Sequence, residues 1–508
     1  MDVAAIAALI LSILSQPADP YSTAVQTMNP DPDWVDPTPW EFAAQTGAYE
    51  PFRVTPVPGA DESPEMVILL EEGLTQQIGT ELVQQWMDDI QAEEYSVQAL
   101  EISYGTPEEI KGLLDSLYDL GLEGAVLVGN LPAAWTAVWD TEAHLGEKCP
   151  TDYFLMDLDG EWLDLWVNFP RDSVAGQDGY YDTFLGSLDP EIWVGRIRVD
   201  NLSALGDPVA MLQAYLQRNH QWRTTGDPPP ARALCYVDDD WQAMGDIYQA
   251  ALELLYEDVD LFSRSPETCE RDYEEFRLPD TYQWVSPFVH SSPNNHFWMP
   301  AGGTTNWSEI VPIAPPARFY NLFACSNCRF TTTNNMGSIY AVAAQNGLAA
   351  VGSTTSGAML QFNYFYGPLG GGGSLGEAWK LWWDRIALNG LSQVELNWHI
   401  GMALLGDPSL VPSMFLTGIG GQEGAGAFML SVAPSPSTGP ATVTVLNSPG
   451  QGTSVDVFDT SGRLVRRTVL DGCGAEACVQ IDIDIPGVYL VRASSGGQTE
   501  VRRLVVIE

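Results

Sequence analysis

Two short apolar runs between residues 281 and 330 each end on a reactive side chain, and this pattern constrains the fold more than any other feature of the sequence. The first run ends at His290 and the second at Cys325, and small polar residues follow both. Such runs are typical of buried strands. In parallel α/β sheets the carboxyl ends of strands face the ligand crevice. The sequence therefore predicts that an imidazole and a thiol converge there, as nucleophilic catalysis requires.

Strand and helix patterns alternate along most of the chain. Residues 66–70 form an apolar run typical of a strand, and residues 74–92 carry apolar side chains at helical spacing. This alternation predicts βαβ units, and therefore an α/β fold with mainly parallel sheets. We expect two α/β sub-domains, the first over 66–230 and a catalytic one over 231–413.

Four further segments complete the predicted organisation. Residues 1–17 contain an apolar run that is too short to span a bilayer, and they are predicted to form a signal peptide. Residues 18–65 are rich in Pro, Asp and Trp and predict an irregular leader. Residues 414–426 are glycine-rich and predict a flexible linker. Residues 427–508 show short alternating strands, which predict a small all-β sandwich. No stretch after the signal qualifies as a transmembrane segment.

The charge of the chain excludes some partners. The 22 basic and 67 acidic residues give a net charge of −45, so nucleic acids are poor partners. The hydrophobic fraction of 45% is ample for a folded core.

The segments around the two reactive residues resemble the gingipain-like cysteine peptidases, relatives of the caspases and legumains. The matching segments are 289–292 and 324–330. Val289 and Ser291 replace the two glycines that flank the histidine in the family, and Cys328 stands where the family often has glycine. The resemblance implies a caspase-like catalytic region.

Other motifs match the same family in the same order. They lie at 126–130, 150–160, 192–197 and 404–410, so that the resemblance covers roughly residues 66–413. Each motif is weak alone, and their shared order is more specific.

The resemblance implies a role for each part of the site. Cys325 would attack the peptide carbonyl, and His290 would protonate the leaving amine. The backbone N–H groups of Cys325 and Ser291 would bind the oxyanion. Asp240 would orient the histidine, although Asp239 stays open as an alternative. Catalysis of this kind needs no cofactor, and the substrate would be a protein or peptide.

Two further expectations concern ligands. Relatives that cleave after Arg or Lys place an acid at the base of the substrate pocket, and Asp246 is the matching candidate here. The relatives are also stabilised by calcium, and Asp152, Asp157 and Asp159 form an oxygen-rich segment that suits a structural Ca²⁺.

The carboxyl-terminal region resembles a second family. Residues 455–465 and 487–492 resemble the sorting domain of type IX secretion, which is an immunoglobulin-like sandwich. This implies that the protein engages the secretion machinery and is secreted or held at the cell surface.

Three alternatives remain open from the residues alone. Cys325 and Cys328 form a C-x-x-C motif of the kind found in thiol redox enzymes. Together with His290 and His296, they could instead bind zinc. Lastly, loss of the glycine after His290 fits a catalytically inactive cell-surface scaffold with a gingipain-like fold.

Overall fold

The structure is a computed structural model that describes most of the chain. The described residues are 37–59, 63–93, 95–140, 145–167, 174–224, 228–264, 267–388, 390–391, 393–413, 429–433, 440–446, 452–459, 463–470, 476–483, 485, 487–495 and 498–506. The predicted signal peptide at 1–17 and the predicted linker at 414–426 lie outside them.

Helices and strands alternate along much of residues 66–406, as the sequence predicts, and runs of short strands occupy 134–185 and 284–306. The α-helices are α1 (Pro39–Gln45), α2 (Leu74–Ile78), α3 (Thr80–Ala92), α4 (Pro107–Tyr118), α5 (Tyr153–Met156), α6 (Pro208–Thr224), α7 (Gly245–Leu252), α8 (Glu270–Asp272), α9 (Trp307–Ile313), α10 (Met336–Ser338), α11 (Asn363–Gly370), α12 (Leu375–Ala387) and α13 (Gln393–His399). The strands up to that point are β1 (Arg53–Pro56), β2 (Met66–Glu71), β3 (Val97–Ser103), β4 (Gly124–Val128), β5 (Ala134–Asp140), β6 (Leu145–Thr151), β7 (Glu161–Leu163), β8 (Trp166–Val167), β9 (Val174–Ala175), β10 (Thr183–Leu185), β11 (Trp193–Ile197), β12 (Arg232–Val237), β13 (Asp258–Phe262), β14 (Trp284–Phe288), β15 (His290–Ser292), β16 (Asn295–Trp298), β17 (Gly303–Asn306), β18 (Phe319–Leu322), β19 (Ala349–Ser353) and β20 (Met402–Gly406).

One sheet of 11 strands contains the strands of both predicted sub-domains. Its order is β1-β3-β2-β4-β11-β20-β19-β18-β14-β12-β13. Strands β3, β2, β4 and β11 are parallel to their neighbours within that group, and so are β19, β18, β14, β12 and β13 within theirs. Strand β20 runs antiparallel to β19, and β1 runs antiparallel to β3. The predicted α/β class with a mainly parallel sheet is confirmed.

The central strands are buried on both faces, which explains their near-continuous apolar sequences. All five residues of β4, of β14 and of β19 are buried. Parallel strands with both faces covered by helices have this character. The helix α3 shows the complementary pattern, since its Val83, Trp86, Met87 and Ile90 are buried at helical spacing.

The segment predicted to be irregular, 18–65, contains regular structure in its described part. Helix α1 begins with Pro39 after the N-cap residue Thr38, whose side chain forms a capping box with Glu41. Such a box satisfies backbone N–H groups that would otherwise lack partners. Proline-rich composition therefore concealed a helix start, because proline is favoured in the first turn.

The carboxyl-terminal strands form a separate compact unit. They are β21 (Met429–Ala433), β22 (Ala441–Leu446), β23 (Thr453–Asp459), β24 (Leu464–Leu470), β25 (Glu476–Ile481), β26 (Gly487–Ser495) and β27 (Gln498–Val506). One sheet has the order β21-β22-β25 and the other β24-β23-β26-β27. Val443 and Val445 of the first sheet share a buried core with Val455 and Val491 of the second, so this unit is a β-sandwich.

Within the part of the chain that the structure describes, every helix is too short or too polar to cross a lipid bilayer.

Candidate active site

The two reactive residues follow neighbouring strands in matching register. Strands β14 and β18 are parallel, and Phe288, the last residue of β14, pairs with Phe323, which directly follows β18. The Val289 N–H donates to the Phe323 carbonyl at 3.0 Å. His290 and Cys325 each lie two residues beyond the paired phenylalanines, and neighbouring strands are about 4.8 Å apart. The sheet therefore brings the imidazole and the thiol to one edge, as the sequence predicts.

An acid from a third strand orients the histidine. The residue is Asp240, whose Oδ2 lies 2.6 Å from His290 Nε2. It follows β12, which is parallel to β14 and adjacent to it. Because a carboxylate can only accept, Nε2 carries the proton, and Nδ1 is left as the acceptor in the neutral ring. The hydrogen bond with His290 lowers the pKa of the Asp240 carboxyl.

The alternative acid, Asp239, is directed elsewhere. Its Oδ1 accepts a hydrogen bond from Gln242 Nε2 at 2.9 Å. The next residue after Asp240, Trp241, packs its ring 4.6 Å from the His290 ring, measured between centroids. The same indole lies edge-on to Phe323 at 5.7 Å. Trp241 thus holds the ring that Asp240 orients, a role that the sequence did not reveal.

The backbone after Cys325 turns sharply. Ser326 has φ of 61°, a left-handed conformation that costs an L-residue roughly 1–2 kcal/mol. Its N–H donates to the Thr355 carbonyl at 2.8 Å. Strain of this kind persists where surrounding contacts impose it, and it is frequent at active sites.

Two side-chain hydrogen bonds fasten the histidine segment to the cysteine turn. The Ser291 hydroxyl donates to the Cys325 carbonyl at 2.6 Å. Asn327 is fully buried, and its Nδ2 donates to the Ser292 carbonyl. Ser291 therefore has a structural role that glycine in the same position lacks. Among the described residues, no backbone carbonyl accepts from the Cys325 N–H, which is one of the two donors predicted for the oxyanion hole.

Burial dominates the electrostatics of the Cys325 thiol. The thiol of Cys325 is buried, whereas the residue as a whole keeps some exposed surface. Burial raises the pKa of the thiol, the Gly357 N–H lowers it, and the Glu147 carboxylate raises it again. The thiol is therefore protonated at neutral pH in this state, so its reaction requires proton transfer to a base.

Glu147 reaches the cysteine turn from the β5–β6 hairpin. Its carboxylate accepts hydrogen bonds from the Thr355 hydroxyl at 2.7 Å and from the Ser356 hydroxyl at 2.9 Å. A Cβ on Gly357 would lie 2.2 Å from the Trp398 carbonyl, so only glycine lets this loop pass so closely. Glu147 is a residue of the site that the sequence analysis missed.

A buried acid lies beneath the orienting one. Asp238 is fully buried, and its Oδ2 accepts from the Met299 N–H at 2.9 Å. Its Oδ1 has no hydrogen-bond partner among the described residues. Burial raises the pKa of this carboxyl to about 6, against partial opposition from the Met299 N–H.

The structure does not support the zinc or redox alternatives. The described residues contain two clusters suited to a metal ion, and neither includes His290, His296, Cys325 or Cys328. Instead, His296 is fully buried and its Nε2 lies 3.2 Å from the Tyr340 hydroxyl. Cys328, the second thiol of the C-x-x-C motif, is fully buried, and burial raises its pKa, whereas reactive redox thiols are partly exposed.

The acids predicted for calcium are not brought together as a trio. Asp152 forms a buried ion pair with Arg196, in which the two groups are 2.7 Å apart. Asp157 and Asp159 lie close together with Glu191, within reach of a single ion. Both oxygens of Asp157 already accept hydrogen bonds, from the Gly160 N–H and from an indole. Calcium binding stays a prediction.

The predicted specificity residue, Asp246, lies in the first turn of helix α7 and is exposed. It follows Asp240 on the same segment, after the turn of 3₁₀ helix at Asp239–Met244. Its predicted contact with a basic side chain of the substrate stays a prediction.

Comparison with known proteins identifies one part of the chain. Residues 431–507 match the family model described as the secretion system C-terminal sorting domain. No curated protein matches the sequence.

Similarity to solved structures is low. Dimeric latent PorU from Porphyromonas gingivalis is 9% identical with a TM-score of 0.31; the match covers 88% of this chain and 44% of that chain. The sulfur carrier protein SoxY from Chlorobium limicola f thiosulfatophilum is 20% identical with a TM-score of 0.13, over 17% of this chain and 84% of that one. These similarities are too distant to identify a shared fold. The sorting domain, by contrast, indicates interaction with the type IX secretion machinery, and it makes this a secreted or cell-surface protein.

Proposed function

We propose that this protein is a secreted cysteine endopeptidase in which Cys325 is the nucleophile and His290 is its acid and base. The observation that carries the proposal is the 2.6 Å hydrogen bond between Asp240 and His290, at the sheet edge where Cys325 also lies. A nucleophile, a base and a group that orients the base are the parts that such chemistry requires.

The reaction begins with the neutral pair. His290 Nδ1 takes the Cys325 proton as the sulfur attacks the peptide carbonyl, and the Asp240 carboxylate stabilises the imidazolium that forms. The oxyanion is held by the N–H groups of Cys325 and Ser291. The imidazolium then protonates the leaving amine, which gives an acyl-enzyme that water hydrolyses with His290 again acting as base.

Removal of the Cys325 thiol from the full-length protein tests this proposal. Cys325→Ala in the full chain is expected to abolish cleavage of an unfolded protein such as casein, with the circular dichroism spectrum unchanged. Cys328→Ala serves as the matched control, because it removes the other thiol of the C-x-x-C motif. That sulfur is buried against Gly337 and Gly352. The control variant is expected to retain activity. Equal, undiminished activity in the wild type and in Cys325→Ala would refute the assignment; a wild type with no activity would favour the inactive scaffold.

The proposal includes a preference for basic residues before the cleaved bond, supported by the position of Asp246 on the segment that carries Asp240. A bound substrate would cover this exposed carboxylate, and a carboxylate and a guanidinium pair strongly where water is excluded. Peptide substrates that differ only in that residue measure the preference, and Asp246→Ala should abolish it. Equal rates for Arg, Lys and neutral substrates would remove this part and leave the peptidase assignment in place.

A further inference from the structure

A cavity lies near the edge of the sheet that begins with β1. Its volume is about 610 Å³, and Glu71, Ser103 and Asn130 are among its lining residues. Glu71 and Ser103 are the last residues of β2 and β3, and Asn130 follows the end of β4. The cavity therefore opens at the carboxyl ends of three parallel strands. Its volume is within the range of small-molecule sites, roughly 300–1,000 Å³.

The strand order makes this position significant. The chain leaves β2 to form β3 on one side of it and later returns to form β4 on the other side. A crevice at such a switch in strand order is where α/β sheets bind ligands. The His290 site lies at a second switch, because β13 and β14 flank β12 on opposite sides. Strands β2 and β18 are five positions apart, or roughly 24 Å, so the two sites are separate.

The cavity wall between β2 and β4 depends on the close approach of Gly129 to the Glu71 side chain. Gly129 has φ of 95°, and a Cβ there would lie 2.7 Å from the Glu71 side chain. The Asn130 N–H donates to Glu71 Oε2 at 2.8 Å, which fixes that carboxylate in the wall. The Oδ1 of Asn130 is buried and has no hydrogen-bond partner among the described residues. The crevice therefore presents one buried acceptor that lacks a donor.

The charge of the lining is negative. Glu50, Glu71 and Glu72 line the cavity. Arg53 lies 3.8 Å from Glu72 in an exposed pair, and its guanidinium lies 5.6 Å from the Tyr104 ring. Exposed pairs of this kind are weak, so most of the negative charge is uncompensated. The Arg53 contact also shows that this wall accommodates a guanidinium.

An aromatic ring is held at the cavity by strained backbone. Tyr104 has φ of 62°, and its ring lies so close to Gly47 that a Cβ there would be 2.2 Å from Tyr104 Cδ1. A ring fixed in this way can receive a cation on its face. Strained non-glycine residues of this kind concentrate at ligand clamps.

We propose that this crevice binds an organic cation, a guanidinium or primary ammonium group on a short apolar stem. The carboxylates and the Asn130 acceptor would bind the N–H donors, the Tyr104 ring would face the cation, and Leu131 would contact the stem. A metal ion fits poorly: among the described residues, Glu50, Glu71 and Glu72 do not form a cluster whose oxygens lie within 4.8 Å of one another. The cation can be a free small molecule or a basic side chain of a polypeptide.

Calorimetric titration of the full chain in low salt tests the proposal. The protein carries Cys325→Ala so that peptides stay intact, and Asp246→Ala so that the proposed substrate pocket does not bind the probes. The probes are agmatine, the peptide Ala-Ala-Arg-Ala-Ala and, as a neutral control, n-pentanol. Agmatine is expected to bind saturably with a one-to-one stoichiometry, and Glu50→Gln and Glu71→Gln should each weaken it about tenfold. If the peptide binds more tightly than agmatine, the natural ligand is a basic side chain of a polypeptide. If the peptide and agmatine bind with equal affinity, the natural ligand is a small cation.

A charge-matched control keeps the test specific. Glu161→Gln removes one exposed carboxylate from strand β7 and should leave agmatine affinity unchanged. The proposal is overturned if agmatine shows no saturable binding, if n-pentanol binds equally well, or if Glu50→Gln and Glu71→Gln behave like Glu161→Gln.

Discussion

His290 Nε2 lies 2.6 Å from Asp240 Oδ2, so the acid that follows β12 fixes the tautomer of the histidine that follows β14. The hydrogen bond leaves Nδ1 as the nitrogen that can accept the thiol proton. Asp240 lies three positions after the end of β12, and His290 lies two positions after the end of β14. The segment after β12 must therefore extend toward His290. The turn of 3₁₀ helix that begins at Asp239 provides this reach.

Removal of the orienting carboxylate should therefore impair the reaction while binding persists. Asp240→Ala is expected to lower kcat by about 100-fold with little change in KM, because the imidazole loses both its orientation and its counter-charge. Asp239→Ala is the control, since Asp239 accepts from Gln242 instead. Similar losses in the two variants would show that the acidic run acts as a whole rather than through one carboxylate.

Glu147 should set the pH at which Cys325 becomes reactive. A negative charge beside the thiol opposes the thiolate and raises its pKa, so Glu147→Gln should lower that pKa. The rate of iodoacetamide alkylation at Cys325, followed by mass spectrometry against pH, is expected to reach its midpoint at lower pH in the variant. Glu161→Gln is the matched control. A midpoint that stays in place or rises would exclude an electrostatic role.

Ser291 should contribute stability through its link to the cysteine turn. Ser291→Ala removes the hydroxyl that donates to the Cys325 carbonyl, and the free energy of unfolding should fall by about 1 kcal/mol. Urea denaturation measures this change. Ser292→Ala is the control. Within the described part of the chain, the Ser292 hydroxyl accepts from nearby Asn294 and Asn295 and makes no hydrogen bond to the cysteine turn, so the link between the two segments persists. A larger loss in Ser292→Ala than in Ser291→Ala would contradict the assignment.

Asp238 should make stability fall as the pH rises from about 4 to above 6. Its pKa is about 6 in the folded chain, above the ordinary value of 3.8, so the folded state holds this proton longer than the unfolded state does. The stability it contributes is fully present below pH 3.8 and is lost as the pH rises through 6. Asp238→Asn lacks this loss, and its stability relative to the wild type should improve by about 2 kcal/mol between pH 4 and pH 8. Urea denaturation at both pH values checks it, with Asp246→Asn as a control for loss of charge; parallel profiles for Asp238→Asn and wild type would refute it.

The sequence predicted the parts of the site that depend on local pattern. The apolar runs before His290 and Cys325 are strands because buried parallel strands are continuously apolar. The position of Asp240 followed from the resemblance, by aligning the strand that begins near Ala233 with the corresponding strand of the family. Glu147 and Trp241 escaped notice because their roles depend on contacts between distant segments. The pairing of Asp152 with Arg196 has the same character, since a carboxylate in an acidic segment gives no sign that a distant guanidinium will bind it.

Ser291 is a second example of a contact that the sequence alone did not reveal. In the sequence it is a departure from the family pattern, where glycine follows the histidine. In the structure its hydroxyl binds the Cys325 carbonyl. A side chain that replaces glycine beside an active site can thus be held by a specific contact, which only the three-dimensional arrangement reveals.

Covalent labelling of the full-length protein with a peptidyl acyloxymethyl ketone is the most direct test of whether Cys325 is the nucleophile. We expect one adduct per chain, mapped to Cys325 by mass spectrometry, with much slower labelling in His290→Ala and no adduct on Cys328. Folding of both proteins is checked by circular dichroism. Labelling that is absent in the folded wild type, or that falls on Cys328 instead, would contradict the assignment of Cys325 as the nucleophile.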